Sequence, residues 1–163
     1  MLENICIDII ECLREAGLDA RYMYSGGDIR AIKATTVFVG ISGVQAASSG
    51  FGDFLGTMVR DDLTAEEIYG LDCDISLAMD ICVSTNDENC ALKCVQTFDK
   101  AIGALSALKG LRIKSMSMGE GSADAKSGLY KCRYTAKGSA YIIACDEDGT
   151  AFTDFVLKGV LKK

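Results

Sequence analysis

Residues 71 to 84, LDCDISLAMDICVS, alternate apolar and polar positions without a break. Leu71, Cys73, Ile75, Leu77, Met79, Ile81 and Val83 share one face, and Asp72, Asp74, Ser76, Ala78, Asp80, Cys82 and Ser84 share the other. A period of two is that of a half-buried strand. These fourteen residues would span roughly 46 Å at strand rise, whereas an ordinary strand has about 5–6 residues. A strand of that length must bend or project beyond its own core.

The spacing elsewhere predicts a helix over 2–16, with Leu2, Ile5, Ile9, Leu13 and Ala16 repeating at three and four and Gly17 placed to close it. A short strand over 19–25 follows, carrying Tyr22 and Tyr24, and Ser25-Gly26-Gly27-Asp28 is a turn signal. Thr35 to Val44 is β-branched and apolar and reads as a strand. Residues 45–70 read as one extended loop, with the Gly-rich stretch SSGFGDFLG at 48–56. Connections of that length are functional or disordered. A second helix is expected over 87–109, opened by a Thr85–Glu88 capping box and bearing the stripe Ala91, Val95, Phe98, Ile102 and Leu105. Gly103 in its middle is a costly choice that marks a close approach by another element. The remainder is β in character: strands over 111–118 and 129–137 around a loop at 119–128, a register break at Gly138, a hairpin turn at Asp148-Gly149, and a last strand over 150–161. The fold class is therefore α+β: one domain over 1–163, with two main helices on a mostly antiparallel, twisted sheet of long strands.

Charge and composition narrow the chemistry. The net charge is −6 and the 17 basic residues are scattered, so no basic nucleic-acid face is expected. Histidine is absent, which removes Ser-His-Asp triads, Cys-His pairs and HExxH zinc helices. The eight cysteines fall on apolar faces, and Glu3 and Asp8 stand where a cationic and then apolar leader would lie. Reduced core cysteines in a cytosolic setting are the expectation. Cys90 and Cys94 lie one helical turn apart, without the partners of a four-ligand zinc site. No transmembrane helix is expected, because the longest uncharged run, 34–52, is rich in Ser and Gly.

The candidate motifs resolve in the same direction. GSADAKS at 121–127 lacks the glycines of a phosphate-binding loop, since Glu120 and Ala125 hold those positions, and a strand rather than a helix follows it. The glycines of 48–56 have the wrong spacing for a dinucleotide fingerprint. Phe51 and Phe54 either tuck onto the domain's own core or dock on a neighbouring subunit, and docking is favoured because aromatics make good interface anchors. Asp72 and Asp74 are about 7 Å apart and Asp80 is about 20 Å further along, so the three suit a charged wall or a solvated face better than a metal site. Asp146, Glu147 and Asp148 read as a solvated hairpin tip. No catalytic residue, cofactor or metal ligand is assigned.

The layout resembles phage tail terminator (tail completion) proteins. The resemblance rests on the N-terminal amphipathic helix, the SGFGDFLG segment, and Ile68-Tyr69-Gly70 leading into the long alternating strand. It also rests on the helical FDKAIGAL at 98–105 and the final FTDFVLKGVLK at 152–162. It implies a non-enzymatic structural subunit that forms a closed ring, commonly a hexamer, on the head-proximal end of a tail tube in a phage or phage-like particle. Its partners would be further copies of itself, the tail tube protein, and a neck, connector or sheath protein. DNA would meet it only by passage through the lumen, and no membrane is involved. Phe51, Phe54, Leu55, Ile68 and Tyr69 are then the candidates for subunit or tube contacts, and Asp72, Asp74 and Asp80 for an acidic lumen. The alternatives are another neck or tube component, or a small cytosolic ligand-binding domain or enzyme.

Overall fold

The computed structural model describes residues 2–23, 32, 34–59, 63 and 65–143. The Ser25–Asp28 turn, Tyr24, Cys145, the acidic tip at 146–148, the Asp148-Gly149 turn and the strand expected over 150–161 lie outside the described residues. The elements run α1 (Leu2–Glu15), β1 (Asp19–Tyr22), β2 (Thr36–Ser48), a 3-10 turn (Phe51–Asp53), β3 (Phe54–Val59), β4 (Ala65–Ser84), α2 (Cys90–Ala107), β5 (Arg112–Asp124) and β6 (Leu129–Ile143). The sheet is ordered β1-β2-β4-β6-β5, with β3 also pairing with β4. Among the described strands only the short β1–β2 pair is parallel. The fold is α+β.

Both helices lie on one face of the sheet. The alternation of β4 buries Cys73, Ile75, Leu77, Met79, Ile81 and Val83 there, together with Cys132, Tyr134, Ala136, Ala140 and Ile142 of β6. Ile5, Ile9 and Leu13 of α1 and Cys94, Ala101 and Leu105 of α2 close over them. Gly17 ends α1 as its place in the sequence predicts. With φ 79°, it lets its own N–H reach the Arg14 carbonyl at 2.9 Å and the Leu18 N–H reach the Leu13 carbonyl at 3.0 Å, the paired bonds of a Schellman cap.

The loop expected over 45–70 is corrected to strand over most of its length. Residues 45–48 complete β2, 54–59 form β3, and 65–70 begin β4. β3 continues along the same side of β4 as β2, since Ser48 faces Leu71, Phe54 faces Tyr69 and Val59 faces Ala65. Residues 36–59 and 65–84 are therefore the two sides of one long hairpin, broken by an excursion at 49–53. Gly50 (φ 129°) and Gly52 (φ 67°) supply the positive dihedrals that the detour requires. Ser48 Oγ bonds the Gly50 carbonyl at 3.1 Å, and Ser49 Oγ bonds that of Gly70 at 3.1 Å.

Other expectations are also revised. β5 runs on through 119–124, and the turn that follows is held by Asp124, whose carboxylate accepts from the Lys126 N–H (3.0 Å) and the Ser127 hydroxyl (2.8 Å). Gly138 does not break β6. Burial continues on the same face through Ala140 and Ile142, and Tyr141 stays exposed. A Cβ at 138 would stand 3.0 Å from the Arg112 carbonyl and 3.2 Å from Leu111 Cδ1, so this glycine makes room for the start of β5. On α2 the buried positions are Cys94, Thr97, Ala101 and Leu105, while Ala91 and Val95 are exposed. The rotation follows from Tyr134, which donates to the Cys94 carbonyl at 3.0 Å and stacks on Phe98 with centroids 4.5 Å apart. Asn89 rather than Thr85 precedes the helix. Thr85 instead donates both its N–H and its hydroxyl to the Gly128 carbonyl, each at 2.9 Å, tying the head of α2 to the β5–β6 turn. Gly103 is exposed with nothing among the described residues within 4 Å of its Cβ position, so none of the described elements approaches it closely.

Candidate functional site

The long hairpin runs past the sheet at Gly70. There β4 meets Ile143, the last described residue of β6, and among the described strands residues 65–69 pair only with β3. A Cβ on Gly70 would overlap the Ile142 carbonyl and lie 2.9 Å from Leu55 Cδ1, so only glycine lets the two backbones pass here. Beyond this point β3 and the first residues of β4 form an arm of about five residues a side, roughly 17 Å long at strand rise.

The arm brings most of the predicted contact residues together. Phe54 and Tyr69 face each other across the ladder and meet edge to face at 5.7 Å, although each remains more than two-fifths exposed. Leu55 and Ile68 are half-buried on the same hairpin. Phe51 belongs to the 3-10 turn at the arm's root, and its side chain lies outside the described residues. The Tyr69 hydroxyl donates to Glu67 at 2.5 Å, which raises the phenol's pKa above its ordinary value. Val59 and Leu63 are exposed at 64% and 85%, and neither is among the contact residues expected from the sequence. For Val59 the signal was the β3 run FLGTMV, hidden within a stretch that glycines and acids made look like loop, whereas Leu63 lies beyond that run.

The aspartates occupy the sheet face turned away from the helices, as the alternation predicts, but that face is of mixed charge rather than acidic. Arg133 of β6 stands opposite Asp80 and grips it with both arms of its guanidinium, Nε to Oδ1 at 2.8 Å and Nη2 to Oδ2 at 2.9 Å. Lys114 of β5 pairs with Asp74 at 2.5 Å. Lys131 and Lys137 face the same way from positions opposite Cys82 and Ser76. Asp72 is exposed, opposite Ala47 on β2 and Tyr141 on β6. The cations come from neighbouring strands, which alternation within β4 could not reveal.

The seven described cysteines form no disulfide, and Cys6, Cys73, Cys82, Cys94 and Cys132 are buried. Burial pushes the thiols of Cys82 and Cys94 up to about 11 and about 12. No group of three or more His, Cys, Asp or Glu among the described residues is arranged to hold a metal ion. No helix among them is long and apolar enough to cross a membrane. Exposed aromatic and aliphatic side chains on a projecting two-stranded arm, with charge beside them, are chemically suited to docking onto another surface. No family model matches the chain, and no curated protein aligns with it significantly.

Proposed function

We propose that this chain is a structural subunit of a phage or phage-like tail, a terminator that assembles into a closed ring, commonly of six, on the head-proximal end of the tail tube. The observation that carries the reading is the arm. A strand of 20 residues continues past its own sheet with β3 beside it, and Phe54, Val59, Leu63 and Tyr69 stand exposed on this hairpin. A domain has no reason of its own stability to leave such side chains in water, and a partner surface gives one. The arrangement of helices and strands and the segments SGFGDFLG and IYG support the same reading through their likeness to tail terminators. In this role the subunit meets copies of itself, the tube protein, and a neck, connector or sheath protein, and DNA only passes through the lumen.

The test is the mass of the purified protein in solution together with negative-stain images, alone and with its tube protein. Single rings that stop tube growth are expected. A chain that stays monomeric even with the tube protein would overturn the reading. Open filaments would make it a tube subunit instead, and a monomer with a small-molecule ligand would make it a binding domain or enzyme.

A further inference from the structure

The two flanks of β4 carry opposite charge. On one flank, residues 49–59 and 65–70 contain Asp53, Glu66 and Glu67 and no Lys or Arg, a net charge of −3. On the other, residues 111–143 contain six Lys and Arg against Glu120 and Asp124, a net charge of +4. β3 and β2 lie to one side of β4, and β6 and then β5 lie to the other, so the acidic arm and the basic strands are at opposite edges. Three of the six cations lie toward the arm's end of the sheet. Arg112 faces Ser139, Lys137 faces Ser115 and Ser76, and Lys114 lies in the register shift between Ile113 and Ser115. Lys114 and Lys137 border a depression of about 390 Å³ with Gln45, Asp74 and Ser76. Among the described residues Arg112 and Lys137 have no carboxylate in ion-pair range. Tyr141, 46% exposed, adds an aromatic surface to the same face.

We propose that the acidic arm of one copy seats on the β5–β6 face of the next copy, along Arg112, Lys114, Lys137 and Tyr141. The inference rests on the ring-forming reading in taking a second copy as the occupant, and the complementary charge on opposite flanks is what selects the surface. A contact between two different patches of the same chain is head-to-tail, and repetition carries it to a closed ring or an open filament. Phe54 and Tyr69 bring the apolar area, while Glu67 meets the cations and fixes the register. Equal charge on two arms, or on two β5–β6 faces, disfavours the symmetric pairings that would end assembly at a dimer.

The experiment is a charge-reversal set read by native mass spectrometry and negative stain, with circular dichroism confirming that each variant folds. One variant carries Glu66→Lys and Glu67→Lys, another Arg112→Glu and Lys137→Glu, and a third carries all four. Glu67, Arg112 and Lys137 are exposed. Each two-site variant alone is expected to weaken assembly by about tenfold or more, because like charges then face each other across the contact. The four-site variant is expected to regain assembly. An equimolar mixture of the two-site variants is expected to form particles in which they alternate. Rings that persist unchanged in both two-site variants would overturn this contact and leave the terminator reading standing. Loss of assembly that neither the four-site variant nor the mixture restores would also overturn it. Open filaments in the unmodified protein with the same pattern of loss and rescue would uphold the contact and overturn the terminator. A monomer at every concentration would overturn the contact as well.

Discussion

Gly70 of β4 and Ile142 of β6 pass so closely that a single methyl group on Gly70 would occupy the space of the Ile142 carbonyl. This is the seam between sheet and arm: on one side β4 is flanked by β2 and β6, and on the other it pairs with β3. Gly70→Ala must push two backbones apart, and Leu55 blocks relief from another direction. Overpacking of this kind costs about 1–3 kcal/mol. Urea denaturation is expected to show that loss, and limited proteolysis to show cleavage of the arm in the variant before cleavage of the sheet. A variant as stable as the parent would mean that the seam can open at no cost.

Gly103 presents the opposite case. It sits in the interior of α2, exposed, with open space where a Cβ would go. Glycine in such a place costs helix stability relative to alanine by up to about 1 kcal/mol. Gly103→Ala is therefore expected to raise the urea midpoint with an unchanged slope. A lowered midpoint would mean that α2 meets a surface at Gly103 that is absent from the described residues.

The Asp80–Arg133 pair tests how much the mixed-charge face contributes to the fold. Its geometry is bidentate, but the Arg133 side chain is 66% exposed, against 22% for Asp80. Solvent screening limits an exposed pair to about 0.2–1 kcal/mol. A double-mutant cycle with Asp80→Asn and Arg133→Gln is expected to return a coupling in that range that shrinks as salt is added. A coupling well above it would show that the pair is drier in the assembled protein than in the single chain.

The core was legible because each side chain's face follows from strand period alone. Cys73 through Val83 are buried at every second residue, as the alternation requires, and α1 ends at the glycine that its spacing marks. The arm was not legible for a local reason. Glu66, Glu67 and Gly70 have low strand propensity, and the detour at 49–53 separates β3 from the strand it continues. Its pairing is set by register against β4, which a window of sequence does not contain. The charge of the outer face was hidden for a related reason: Lys114 is 40 residues from Asp74, and Arg133 is 53 from Asp80. The α2 stripe holds at Leu105 and in part at Phe98 but misses at Ala91 and Val95, where Cys94 turns to the core instead and its carbonyl accepts from Tyr134, 40 residues away.

The buried thiols make stability fall on the alkaline side. In the unfolded chain Cys82 and Cys94 would lose their protons near the ordinary value of 9.0. In the folded protein burial lifts them to about 11 and about 12, and the phenol of Tyr134 is pushed up by the same cause. From pH 9 upward the unfolded state therefore holds fewer protons than the folded state, so unfolding becomes easier as pH rises. The stability held in these thiols is complete below pH 9 and is lost as the pH climbs through their folded values. Urea midpoints are expected to be level through neutral pH and to fall above pH 9, and the fall should be shallower in a Cys82→Ala, Cys94→Ala variant. Below the fall, both thiols are expected to resist iodoacetamide in the native protein and to react once urea unfolds it, because only the thiolate attacks. Rapid native alkylation of Cys94 near neutral pH would show that α2 lifts from the sheet far more readily than its packing against Tyr134 and Phe98 implies.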